Sequence, residues 1–127
     1  MKVLLVDDEE DFVNTLADRL ELRDLGSDTA LSGEEALSIL EKDPPDVMIL
    51  DLILPGMDGM AVLRRVKEQY PRIQIIILTG HGTPEGEAEA KRLGAFAYLH
   101  KPVGIRDLMA AVYAAGQEGA PGNPGDG

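Results

Sequence analysis

Residues 47–51 read Val-Met-Ile-Leu-Asp: four apolar residues in a row, without polar alternation, closed by a carboxylate. So short and continuous a run, preceded by Pro44-Pro45, is the pattern of a strand buried on both faces, as in parallel sheets. The same pattern recurs at residues 3–6, where it runs into Asp7-Asp8-Glu9, and at residues 73–78, where it runs into Thr79. Weaker runs at residues 27–31 and 96–99 complete a set of five predicted strands, the last leading to Lys101-Pro102.

Helical spacing fills the intervals. Phe12, Val13, Leu16, Ala17 and Leu20 form one stripe, with Gly26 as the expected break. Ser32-Gly-Glu-Glu35 reads as a capping box opening a second helix, which stops before Pro44-Pro45. Met60, Leu63, Val66 and Tyr70 form a third stripe, halted by Pro71. Thr83-Pro84 supplies a cap and first residue for a fourth helix with Gly94 beyond its end, and Ile105, Leu108, Met109 and Val112 mark a fifth. Strands alternating with helices imply an α/β fold, a parallel sheet covered on both faces through right-handed crossovers.

The chain has 127 residues, enough for one domain and one core. At 44% hydrophobic and 28% charged it has the balance of a globular protein. A net charge of −11 argues against this domain binding nucleic acid or an anionic membrane, which it would repel. The absence of cysteine excludes disulfides, thiolate metal sites and cysteine nucleophiles. The apolar run at residues 3–6 is too short for a signal peptide, and no run approaches a membrane span, so a cytoplasmic location is expected. Residues 1–115 are expected to form the domain. Residues 116–127, which hold five of the fourteen glycines and two prolines, are expected to be a tail or linker stub.

Parallel strands bring all their carboxyl ends to one edge, where open sheets bind ligands at the point of strand reversal. If the first and third strands are neighbours there, Asp7, Asp8 and Asp51 share a crevice. Two unit charges about 4 Å apart repel by roughly 4 kcal/mol at an effective dielectric of 20, so protons, a cationic side chain or a metal must compensate. With only oxygen donors the fitting ion is hard, magnesium foremost. Lys101 adds a fixed positive charge and Thr79 a hydroxyl. The set suits phosphoryl transfer, with Asp51 as the nucleophile that becomes an acyl phosphate.

These residues resemble the receiver domain of bacterial two-component response regulators. The resemblance covers about residues 1–115 and rests on VLLVDDE (3–9), DLILPGMDG (51–59), LTGHG (78–82) and LGAFAYLHKP (93–102). It implies a flavodoxin-like, doubly wound five-stranded sheet in the order 2-1-3-4-5 with five helices. It further implies that Asp51 accepts a phosphoryl group from a sensor histidine kinase or histidine phosphotransfer protein, and that Asp8, Asp51 and the Ile53 backbone carbonyl bind Mg2+, with Asp7 acting largely through water. Thr79 and Lys101 would contact the phosphoryl oxygens, and Tyr98 would turn inward as Thr79 moves. The Lys101-Pro102 bond is expected to be cis. The implied outcome is a signalling switch rather than an enzyme. It would act through the surface of the fourth helix, fifth strand and fifth helix on an output domain or downstream protein, with homodimerisation on phosphorylation as a further outcome. The alternative is a phosphorylation-independent interaction module on the same fold, against which the intact acidic set argues.

Several positions depart from the family's habits or call for comment. The fourth helix is poor in large apolar residues and carries Gly86, which costs roughly 1 kcal/mol relative to alanine, so this helix is expected to be mobile or displaced before phosphorylation. Ile53 cannot orient water for hydrolysis, which favours a long-lived phosphoform. Gly80 leaves the acceptor accessible. His81 reads as an exposed loop residue, and His100 as packing or solvent-facing rather than a metal ligand. The alanines of the fifth helix suit core packing, or a small-residue interface.

Overall fold

The computed structural model describes residues 1–118. Its elements alternate as β1 (Lys2–Val6), α1 (Glu10–Glu21), β2 (Gly26–Ala30), α2 (Gly33–Lys42), β3 (Val47–Leu50), α3 (Gly59–Gln69), β4 (Gln74–Thr79), α4 (Pro84–Arg92), β5 (Ala97–His100) and α5 (Ile105–Glu118). All four strand pairings are parallel, and the order is β2-β1-β3-β4-β5. The doubly wound α/β sheet expected from the sequence is therefore the fold. Among the described residues no helix is long and apolar enough to cross a membrane.

The central strands divide their side chains between two cores by strict alternation. Leu4, Val6, Met48, Leu50, Ile75 and Ile77 point to the layer of α2 and α3, where they meet Ala36, Leu40, Val62, Leu63 and Val66. Val3, Leu5, Val47, Ile49, Ile76 and Leu78 point to α1 and α5, against Val13, Leu16, Leu20, Leu108 and Val112. Both faces are covered, which is why these strands read as continuous apolar runs. Truncating Ile76, fully buried between them, to alanine would cost about 2–5 kcal/mol.

Local signals set most helix starts. Ser32 Oγ accepts from Glu35 N–H at 3.1 Å, and Glu35 Oε1 reaches back to Leu31 N–H at 3.1 Å, one residue earlier than the usual box. Asp58 caps α3 through Met60 N–H, and Thr83 caps α4 through Gly86 N–H at 3.0 Å. Thus α4 is formed from Pro84 onward, and Ala90 is its one buried residue, in keeping with its thin apolar face. The Lys101-Pro102 bond is cis.

Several boundaries differ from the sequence reading. The chain leaves α1 not at Gly26 but at Asp24, whose φ of 59° is left-handed; Gly26 already belongs to β2. β2 and β5 each sit one residue from the expected span, because β2 is an edge strand whose polar side chains are half-exposed and give little periodicity. β4 is likewise shifted, since Ile73 N–H bonds Tyr70 O in the preceding turn and Thr79 becomes the last strand residue. Lastly, α5 continues through Gly116 to Glu118, past the expected domain end at 115. A Cβ at Gly116 would lie 2.5 Å from Met1 Sδ, so the missing side chain admits Met1 against this turn. The rest of the expected tail, 119–127, lies outside the described residues.

Candidate functional site

Because β1 and β3 are neighbours, in register from Val3↔Val47 to Val6↔Leu50, the residues following them emerge side by side. Asp7 N–H bonds Ala30 O at 3.1 Å and Asp51 N–H bonds Val6 O at 3.0 Å, so both carboxylates are held on continuations of the ladder. Asp7, Asp8 and Asp51 each offer a carboxylate oxygen, and these oxygens lie within 4.8 Å of one another. Asp7 and Asp51 are buried and Asp8 is exposed, which leaves the group open on one side.

The positive counterpart comes from the far end of the chain. Lys101 Nζ donates to Asp7 Oδ2 at 2.6 Å, Glu9 Oε1 at 3.0 Å and Asp51 Oδ2 at 3.2 Å, and it stands 4.4 Å from the centre of the Phe12 ring. Burial draws the Lys101 amine down, but the bonds to Asp7 and Glu9 and the charges of Asp7 and Asp51 outweigh it and hold the ammonium above its ordinary range. Asp7 moves upward as well: burial exceeds the opposing bonds from Lys101 and Glu9 N–H, and the charge of Asp51 adds to it. One ammonium is shared among the carboxylates of Asp7, Glu9 and Asp51, with Asp8 beside them. The residual negative charge, the all-oxygen donor set and the open side fit a hard divalent cation.

Thr79 is fully buried at the end of β4, its Oγ accepting from His81 N–H at 3.2 Å, while its carbonyl accepts from Lys101 N–H at 2.9 Å. The hydroxyl and ammonium residues are thus tied to each other across β4 and β5. Ile53 N–H bonds Asp51 Oδ1 at 3.1 Å, fixing the carboxylate, and the Ile53 side chain is 54% exposed beside it. Gly80 and His81 are exposed at the rim.

Tyr98 lies apart from this group. It is buried on β5, with its hydroxyl lacking a partner among the described residues. Its ring meets His100 edge-on at 5.3 Å, and burial foremost pushes the phenol up. The Tyr98 ring is thus packed into the core side of β5 in this structure. His100 is exposed, with Nε2 3.9 Å from Glu87 of α4, and belongs to no metal-binding group among the described residues.

Sequence reasoning missed three contributors. Glu9 was visible only as the third acid after β1; its contact with Lys101 spans 92 positions. Phe12 matched the α1 stripe, yet its place in the first turn brings it to the rim. Gly59 carries the tightest constraint, since a Cβ there would lie 2.5 Å from Asp51 O and from Leu52 Cα. No local pattern announces that approach.

Comparison with known proteins agrees with this geometry. A profile of the response regulator receiver domain matches residues 3–113. An NtrX-like response regulator of Rickettsia bellii is 41% identical over 102 residues, covering 79% of this chain and 21% of the relative. The DNA-binding transcriptional regulator NtrC of Klebsiella pneumoniae is 37% identical over 108 residues, covering 85% and 23%. The chain therefore spans less than a quarter of the length of these curated relatives. A CheY-like receiver domain protein of Methanospirillum hungatei superposes with a TM-score of 0.89 at 27% identity, covering 93% of this chain and 94% of that one. A receiver domain from Clostridium thermocellum does so at 0.84 and 38% identity, covering 90% and 92%. Fold, rim and matched sequence lead to one assignment: the chain belongs to the response regulator receiver domain family.

Proposed function

We propose that this domain is a phosphorylation switch that receives a phosphoryl group on Asp51 from the phosphohistidine of a sensor histidine kinase or histidine phosphotransfer protein. One observation carries the reading: three carboxylates from two strand ends meet within 4.8 Å, with the Lys101 ammonium bonded to two of them. Asp51 Oδ attacks phosphorus, the phosphorus–nitrogen bond breaks, and the imidazole leaves with the electron pair and takes up a proton. Asp7, Asp8, Asp51 and the Ile53 carbonyl are the groups that would hold Mg2+. Bound there, the ion supplies positive charge to the phosphoryl oxygens. Lys101 neutralises a further oxygen, and Thr79 donates its hydroxyl to another once its loop moves.

Phosphorylation turns one negative charge into about two and adds acceptor oxygens. Thr79 and Lys101, joined through Thr79 O and Lys101 N–H, answer together. Lys101 follows β5, and His100 of β5 faces Glu87 of α4, which supports a readout on the α4-β5-α5 surface. The switch would act in the cytoplasm on an attached output domain or a downstream protein, with nucleic acid contact left to that partner.

The test is incubation with Mg2+ and acetyl phosphate. The expected result is one base-labile phosphoryl group, absent from Asp51→Asn and without Mg2+. A wild-type chain that gains none would be an interaction module independent of phosphorylation, and repeated donor turnover without accumulation would make it a hydrolase.

A further inference from the structure

Building on the proposed role of Asp51, we infer that Glu9 is a positioning residue that occupies, on the Lys101 ammonium, the place a phosphoryl oxygen takes. An ammonium has three N–H donors. Asp7, Glu9 and Asp51 supply three acceptors, at 2.6, 3.0 and 3.2 Å. The ring of Phe12 faces the same group at 4.4 Å, so the approach left open by the carboxylates is also partly closed. Lys101 therefore has no donor to spare, and one bond must be exchanged when a phosphoryl oxygen arrives.

Burial decides which. The side chains of Asp7 and Asp51 are each 6% exposed, whereas that of Glu9 is 65% exposed. Releasing Asp7 would leave a buried carboxylate without its cation, a costly state. Asp51 carries the incoming group itself. Glu9 returns to water at little cost, because an exposed ion pair is weak. The exchange at Lys101 is thus Glu9 out and phosphoryl oxygen in, while Asp7 keeps the ammonium in position. With acetyl phosphate, Asp51 Oδ bonds phosphorus, the bond from phosphorus to the acetate oxygen breaks, and acetate leaves with the electron pair.

Three variants of the full chain test this with Mg2+ and acetyl phosphate. Glu9→Gln keeps an acceptor but loses the charge. Glu9→Asp keeps the charge on a side chain one methylene shorter. Glu10→Gln removes a neighbouring exposed charge that does not contact Lys101. Glu9→Gln and Glu9→Asp should both accept the phosphoryl group about three- to fivefold faster, the factor associated with losing an exposed ion pair, and Glu10→Gln should match wild type. In the metal-free protein, the lysine-ammonium NMR signal of Lys101 should shift in both Glu9 variants and not in Glu10→Gln. Wild-type rates in both Glu9 variants would overturn the inference alone, as would a gain in Glu9→Gln matched by Glu10→Gln but not by Glu9→Asp. A wild-type chain that accepts no phosphoryl group would overturn the reading of Asp51, and this inference with it.

Discussion

Gly59 lies directly against the backbone of Asp51: a Cβ there would stand 2.5 Å from the Asp51 carbonyl oxygen, and Gly59 N–H bonds Leu52 O at 3.1 Å. The first turn of α3 is thus fastened beneath Asp51, and neither backbone can give way cheaply. Gly59→Ala should cost about 3 kcal/mol, the upper part of the overpacking range, in urea unfolding. Gly26→Ala, with nothing within 4 Å of the added atom, should be neutral or slightly stabilising.

The metal-free protein should show a particular dependence of stability on pH. Burial holds the Asp7 carboxyl above its ordinary 3.8. Its folded state binds the proton more tightly than the unfolded chain, so its contribution rises as pH falls through the raised pKa toward 3.8, and is lower above that window. Lys101 is raised above 10.5, so its stabilisation is complete below 10.5 and lost as pH climbs through the folded value. Lys67, lowered by burial, gains stability as pH rises from its depressed value to 10.5. Urea midpoints across pH should lose the acid-side rise in Asp7→Asn and the alkaline loss in Lys101→Met.

Tyr98 buries a hydroxyl that makes no well-formed hydrogen bond among the described residues, with only the Thr83 backbone near enough to act on it, and a Cβ on Gly82 would lie 2.8 Å from that oxygen. Tyr98→Phe should therefore be neutral or stabilise by up to about 1 kcal/mol, since at most a weak contact with the Thr83 backbone is lost. Gly82→Ala should push the ring outward, increasing its accessibility to tyrosine-directed quenching. An unchanged quenching constant would place the ring elsewhere.

Ile53 stands 54% exposed beside Asp51 and offers no group that could orient water. Loss of the phosphoryl group from the purified domain should be slow, and Ile53→Asn should shorten its half-life several-fold. Following the base-labile phosphoryl group over time checks both.

What could be read in the sequence depended on the range of the interaction. β1, β3 and β4 were legible because both their faces are buried, and α2 and α4 because Ser32 and Thr83 bond within their own first turns. Asp7, Asp8, Asp51, Thr79 and Lys101 were legible as strand ends in a parallel sheet. β2 was blurred because an edge strand with half-exposed polar residues carries little pattern, and the exit of α1 at Asp24 was hidden by the more conspicuous Gly26. Glu9, Phe12 and Gly59 could not be found this way. Their partners are Lys101 and the backbone at 51–52, which only the folded chain brings to them.

The packing of Gly116 on Met1 fixes where α5 ends: beside the start of β1, at the opposite rim from the carboxylates. Fourteen helical residues at about 1.5 Å each separate the two ends by roughly 21 Å. The carboxyl end of α5 thus sits on the floor of the domain and the carboxylates on its roof. A change at the roof would reach that floor either along α5 as a stiff rod or across its outer flank.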